Sequence, residues 1–379
     1  MTAPRFLQIH WFASYPATLL NRDDSGFAKR LPFGDAMRTR ISSQCLKRHW
    51  RVTQDEWSLR SIGQPMAVRS RETPERRIRP LINEAGAGTP EIRDAVVLGL
   101  AQGLYGDKAA DLSKRQALLL GDNEIAYLAG KAIAIAREAQ DPKAAAEAVR
   151  TLFRKEEKAN LSALREQGAL NAGLEAALFG RMVTSDPEAN VEAAVHVAHA
   201  FTVHAAATES DYFTVVDDLT REAGEAGTAG LFDTELTAGL FYGYVVLDLP
   251  GLRANLGGDA ALAGTVVEHL VHLVAKVSPG AKKGSTAPYA YAQTMLIESG
   301  HRQPRTLANA FRAPAPAQEA AAEAALADHL ARLDAAYGPH ETRRHLALSE
   351  AALPGSTRVP LADLAGFARQ QTIGAGLGE

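Results

Sequence analysis

Residues Phe6 to Phe12 alternate strictly, with Leu7, Ile9 and Trp11 on one side and Gln8 and His10 on the other, the period of a half-buried strand. Such a strand needs hydrogen-bonding neighbours and a layer to cover its apolar face. The chain supplies both. Val195 to His204 alternates again, setting Val195, Val197, His199, Phe201 and Val203 against His196, Ala198, Ala200, Thr202 and His204. Tyr212 to Val216 reads as a short strand, Phe241 to Leu249 as a stronger one and Thr294 to Ile297 as the last. Ser42 or Ser43 can cap a helix through Arg51, and Ala261 to Val277 has the helical period. The order strand, helix, strand, strand, helix, strand predicts an α+β fold: one ferredoxin-like sheet layer backed by two helices.

Two stretches fall outside that layer. Residues 52–190 form a long insertion, arginine-dense from Arg69 to Arg79 and mostly Ala-rich helix from Ile92 to Leu174. Residues 205–230, with Glu209, Asp211, Asp217 and Asp218, read as an excursion between two sheet strands, and such excursions commonly reach a partner. Beyond the Pro314 and Pro316 break, a helix is expected over Ala317 to Ala336, then a glycine-ended tail. A hydrophobic content of 46% over 379 residues is enough for a substantial core. The single cysteine, Cys45, excludes an intramolecular disulfide framework and a thiolate-rich metal site, and no apolar run reaches membrane-spanning length. The N-terminus, with Arg5 and His10, does not read as a secretory signal, so the cytoplasm is the expected compartment.

The net charge of −3 conceals a polarised chain. Residues 1–80 carry 15 Lys/Arg against 7 Asp/Glu, and the remainder carries 26 against 37. On the helix opening at Ser42 or Ser43, Lys47 and Arg51 share a face flanked by Gln44 and Arg48, while Leu46 and Trp50 point the other way. The helix start offers amides and the positive end of the dipole to a phosphate, and the cations extend that surface. Lys29, Arg30, Arg38 and Arg40 add charge nearby; the plainer alternative is a solvated basic face over buried Leu46 and Trp50.

Other chemistries are less well supported. Asp23 with Asp24, Asp217 with Asp218, or His196, His199, His204, His269 and His272 could hold a metal or move protons, but His199 shares a face with Val197 and Phe201, which favours packing. Lys282-Lys283-Gly284-Ser285-Thr286 lacks the Gly-Lys-Ser/Thr order of a nucleotide-binding loop, so the phosphate of a nucleic acid is the better reading.

Leu20 to Asp24, Pro32-Phe33-Gly34 and Arg40 to Arg48 resemble the signature of CasC, the backbone subunit of the type I-E CRISPR surveillance complex Cascade. The resemblance continues at Phe179 to Met182, Ala198 to Thr202 with His204, Asp211 to Asp218, Gly239 to Tyr244, and Pro279-Gly280 through Ser285-Thr286. These blocks follow in order over most of the chain. Two positions depart from the pattern: Asp35, where the family often has a second glycine, and Cys45, where it often has serine. A charge at Asp35 is expected to point away from RNA.

The resemblance implies a modified RNA-recognition-motif palm (residues 1–51, 191–204 and 229–315), helical fingers (52–190), a β-hairpin-like thumb (205–228) and a C-terminal helical extension packing on the palm (316–379). It implies a non-catalytic protein without metal or cofactor, of which about six copies stack along one CRISPR RNA as a helical filament. The other implied partners are target DNA and the remaining Cascade subunits: the guide-end-capping protein, the processing endonuclease, and the large and small subunits. Arg22, Lys29, Ser42, Gln44, Lys47 and Arg51 are expected on the guide backbone, together with Asn21, Arg40, Arg48, Arg181, Lys282 and Lys283. Met182 is expected to wedge beside a displaced base. Arg69, Arg71, Arg76, Arg77, Arg79 and Lys131 are candidates for attracting duplex DNA. The alternative is an RNA-guided ribonuclease backbone subunit using an aspartate, as in type III complexes.

Overall fold

The computed structural model describes residues 4–153, 172–182, 190–216 and 228–374. The alternating N-terminal segment becomes β1 (Phe6–Thr18), followed by a hairpin of β2 (Arg30–Phe33) and β3 (Ala36–Ile41), then α1 (Ser43–Val52). Next come β4 (Ala67–Ser70), α2 (Arg79–Glu84), α3 (Pro90–Tyr105), β5 (Leu118–Gly121), α4 (Asp122–Glu138), α5 (Pro142–Leu152) and α6 (Leu174–Phe179). The chain continues through β6 (Val195–Val197), β7 (Ala200–Thr202), β8 (Thr208–Val216), β9 (Thr228–Asp248), α7 (Leu249–Asn255), α8 (Ala260–Lys276) and α9 (Lys283–Thr286). It closes with β10 (Thr294–Gly300), α10 (Glu319–Tyr337), β11 (Thr342–Ala347), β12 (Ser356–Arg358) and α11 (Leu361–Gly374). It divides into two compact units, Met1–Ser61 with His196–Leu249 and Gly264–Glu379, and Ile62–Val195 with Pro250–Ala263.

In the first unit a mixed α+β arrangement surrounds one large sheet, ordered β12-β11-β10-β1-β9-β7-β3-β2, with β6 and β8 also paired to β9. β1 is central, antiparallel to β10 on one side and to β9 on the other. Its odd-numbered face lies under α1, where Trp50 meets Trp11 edge-on at 6.2 Å. The even face, expected to be polar, is covered as well: Gln8 and His10 are buried, and Phe12 joins Tyr242, Leu296, Phe311, Leu326 and Leu330 in a core beneath α10. Buried polar groups need partners. Gln8 Oε1 accepts from Tyr244 Oη at 2.6 Å and from the Arg305 amide at 2.9 Å.

Glu298 of β10 is fully buried and collects most of the remaining charge on this face. It accepts from His10 Nε2 at 3.2 Å, from both terminal nitrogens of Arg305 at 2.7 and 3.0 Å, and from Arg343 Nε at 2.7 Å. Arg343, itself buried, also grips Asp334 of α10 with two nitrogens. Tyr242 donates to His10 Nδ1 at 2.9 Å, which fixes the neutral tautomer that carries its proton toward Glu298.

Gly243 of β9 stands opposite Trp11 in register, and a Cβ there would lie 2.1–2.4 Å from three atoms of the indole. Gly243→Ala is therefore expected to cost about 1–3 kcal/mol by overpacking. The check is urea denaturation of the variant; an unchanged midpoint would contradict this packing.

Several elements escape the sequence pattern. The β2–β3 hairpin lies at the sheet edge with Arg30 exposed and Arg40 half-buried, so no apolar alternation marks it. Val195 to His204 is two short strands broken at Ala198–His199, and the break turns His199 out to solvent instead of packing it with Phe201. The region expected to be a helical extension also contributes β11 and β12, which widen the sheet beyond β10.

The first half of β9 pairs with β8 from Thr208↔Thr237 to Val216↔Thr228, forming a hairpin arm, and its second half runs on into the central sheet. Asp217 and Asp218 lie outside the described residues. The arm carries an exposed cross-strand pair, Phe213 and Phe232, stacked at 5.6 Å.

The second unit buries Ile78, Ile82, Val96, Leu100, Ile125, Leu128 and Val149 among α2 to α5. Thr89 and Asp141 cap α3 and α5 by accepting from Ile92 N and Ala144 N, each followed by proline at the first helical position. Between α3 and α4 the Ala-rich stretch is interrupted by β5, which pairs antiparallel with β4.

Candidate nucleic-acid interface

The site grows from the start of α1. Ser42 has extended backbone and its Oγ accepts from Cys45 N at 3.2 Å, a normal N-cap. No acidic residue occupies the first turn, so the positive end of the dipole is not neutralised from within the helix. Asn21 Oδ1 accepts from Ser42 N at 2.9 Å, and the Asn21 carbonyl accepts from Lys29 N at 2.9 Å. Arg40 N in turn donates to the Lys29 carbonyl at 2.8 Å. Asn21 thus works through the backbone, tying the loop that carries Arg22 and Lys29 to the helix start. Within that loop Asp23 Oδ1 accepts from the amides of Ser25 and Phe27, both at 3.0 Å, and shapes the turn.

The cations converge from four segments. Lys29 comes from the loop, Arg40 from β3, Lys47 and Arg48 from α1, and Lys283 from α9. Their fields register on neighbouring groups: burial pushes the Cys45 thiol up, while Arg48, Lys29 and Lys283 act against it. Burial lowers His49, and Lys283 and Arg48 lower it further. Burial likewise lowers His199, followed by Arg40, Lys29 and Lys47. Three segments thus place Lys29, Arg40 and Lys47 around one imidazole, and a depression of about 260 Å³ lined by Asp23, Asp24, Lys29, Arg30 and Arg40 opens nearby. Arg22, Gln44, Arg48 and Lys283 are exposed; Lys47 and Arg51 are half-buried.

Not every basic residue of the motif faces solvent. Arg38 is fully buried and donates to the carbonyls of Phe33, Thr202, Val203, Phe311 and Arg312, stapling the hairpin to the sheet. Arg30 is bonded to Glu235 of β9. Lys282 contacts Thr234 and lies 5.4 Å from the Phe213 ring, so it braces the arm, whereas Lys283 sits 5.9 Å from the exposed ring of Tyr289. Asp35, at the tip of the β2–β3 turn, is exposed.

In the second unit Arg181 is buried against Glu124, at 2.6 and 2.8 Å, and holds in place the segment that leaves Met182 72% exposed. Arg69, Arg71, Arg76, Arg77 and Lys131 are all exposed, with Arg76 paired to Glu72 and Arg77 to Asp122. Among the described residues no helix is long and apolar enough to cross a membrane.

The sequence pattern concealed His199, because strict alternation assigns it inward. It also gave no hint of the exposed Tyr289 beside Lys283, or of the exposed Tyr291, both in a loop without a period.

The sequence model described as CT1975-like protein matches residues 7–368. The chain belongs to that family. A CT1975-like chain of this kind is also similar to solved structures. One, titled a CRISPR RNA-guided surveillance complex in a pre-nicking state, is 26% identical, with a TM-score of 0.78 over 96% of this chain and 100% of that one. A second, titled a CRISPR RNA-guided surveillance complex, is 21% identical, with a TM-score of 0.58 over 96% and 99% of the two chains, and shows the fold alone. No curated protein matches. Together the family and the first of these structures uphold the resemblance to the CasC subunit of Cascade.

Proposed function

We propose that this CT1975-like protein is a non-catalytic backbone subunit of a type I-E surveillance complex in the cytoplasm. It holds the CRISPR RNA spacer by its sugar–phosphate chain, oligomerises along it and presents it for pairing with target DNA. The observation that carries this reading is the convergence of Lys29, Arg40, Lys47, Arg48 and Lys283 on a capped helix start with no acidic first turn. Cations and amides grip phosphate without reading bases, which suits a guide of arbitrary sequence, while base pairing supplies specificity.

The strand order β10-β1-β9-β7, with α1 and α8 as the connecting helices, supports reading the sheet as a modified RNA-recognition palm. The β8–β9 arm then serves as the thumb, and the exposed Met182 as the wedge. Arg69, Arg71, Arg76, Arg77 and Lys131 would attract duplex DNA before pairing. The non-catalytic reading is supported by Asp23, whose carboxylate is occupied in shaping its own turn.

The test is purification of the native assembly, then extraction and sequencing of its RNA, and incubation of the assembly with magnesium or manganese. A uniform RNA with a repeat-derived end, left intact by the metals, is expected. Absence of such RNA would refute the assignment, and cleavage abolished by Asp24→Ala would favour the ribonuclease alternative.

A further inference from the structure

His199 has no role among the expected guide contacts, yet it is exposed at the break between β6 and β7, with Lys29, Arg40 and Lys47 disposed around it. Arg40 Nη1 lies 3.0 Å from His199 Nδ1. A guanidinium can only donate, so Nδ1 accepts and the ring proton resides on Nε2. Arg40 is itself oriented, with its Nε donating to the Arg30 carbonyl at 3.2 Å. The imidazole is therefore a neutral donor held in one tautomer within a cationic cluster, at a strand break that leaves it exposed. From this juxtaposition we propose that His199 is a further contact to the guide, donating Nε2–H to a phosphate or ribose oxygen. The inference rests on the RNA-binding reading above.

A second consequence follows from the charges around the ring. Arg40 of β3, Lys29 of the loop before β2 and Lys47 of α1 all bear on it. Without RNA these cations oppose protonation. A phosphodiester offsets them and attracts a proton to Nδ1, with Arg40 Nη1 turning from the ring to the phosphate, so the ring binds a proton more tightly in the complex than in the free protein, and affinity rises as pH falls. His49 lies under Lys283 and Arg48 and also adds to any such dependence, so the informative quantity is the part that disappears with His199.

Fluorescence anisotropy of a mixed-sequence single-stranded RNA with the full chain, at fixed salt and at pH 7.5 and pH 6.0, tests this. At pH 7.5 His199→Ala is expected to weaken binding by about fivefold, the scale of one hydrogen bond, and His199→Gln, which retains a donor, to recover most of that. Both variants should lose much of the tightening at pH 6.0 that the unaltered protein shows. Thermal melting verifies that the variants remain folded. If His199→Ala matches the unaltered protein in affinity and pH response while both bind in a salt-sensitive way, the inference is overturned and the RNA-binding reading stands. If the unaltered protein fails to bind RNA even at low salt, both fall together.

Discussion

Replacing Lys29, Lys47, Arg48 and Lys283 together by alanine is expected to weaken RNA binding by roughly 10²–10³-fold at about 0.1 M salt. The same change should lower the slope of log affinity against log salt by about three, since each single-strand phosphate contact contributes roughly 0.7. The side chains reach the interface from three separate segments, and none is among the fully buried residues that form the core. The Ser42 cap and the burial of Leu46 and Trp50 remain. Anisotropy titrations across a salt series give both quantities. A drop in affinity with an unchanged slope would indicate that the variant had lost something other than phosphate contacts.

The largest effect on stability is expected at Glu298→Ala. The substitution leaves the buried Arg343 and the half-buried Arg305 without the carboxylate that joins them, and breaking a buried pair of this kind costs about 3–5 kcal/mol. That is a large share of the roughly 5–15 kcal/mol that holds a typical domain folded. The pH dependence has a definite sign. Burial pushes Glu298 up, but the bonds from His10 and Arg305 outweigh it and hold the carboxyl well below the usual range. A depressed carboxyl contributes stability that is present above its unfolded value, about 4.5, and is lost as the pH falls below that. Burial holds His10 below its ordinary 6.5, so its contribution is likewise present above that value and lost on acidification. Stability should therefore decline below about pH 6.5 through His10 and, only below about pH 4.5, through Glu298. Urea denaturation of the unaltered protein and of Glu298→Ala at pH 7, pH 5 and about pH 3.5 measures this, the last pH reading the Glu298 part; at pH 7 a variant within about 1 kcal/mol of the unaltered protein would remove Glu298 from its central place.

The parts of the fold legible in the sequence were those whose apolar residues mark out a strand or a helix. β1, the core half of β9, α1 and α8 each carry a clean period, and their order gives the central sheet. Legibility failed where polar or charged side chains are buried. His10 and Gln8 look solvent-facing until Glu298, Arg305 and Tyr242, all distant in sequence, are brought to them by the sheet register. β11 carries Arg343 and His345 inward, and a charged residue at a core position removes the alternation by which a strand is recognised. Arg38 and Arg40 illustrate the same limit at the site: two residues apart on one strand face, one is drawn into the core by five carbonyls and the other turns to His199. Composition registers both as positive charge, and only the surrounding acceptors separate staple from surface. The capping pattern located the helix start at Ser42, but the division between Lys282 at the arm and Lys283 at the face depends on where Thr234 and Phe213 lie.

The proposed basic face holds a nucleic-acid backbone without reading its bases. Its most direct test is titration of the unaltered protein with several unrelated single-stranded RNAs of equal length at two salt concentrations. Closely similar affinities across sequences and a steep common loss with salt are expected; affinity insensitive to salt, or a strong preference for one sequence, would contradict the proposal.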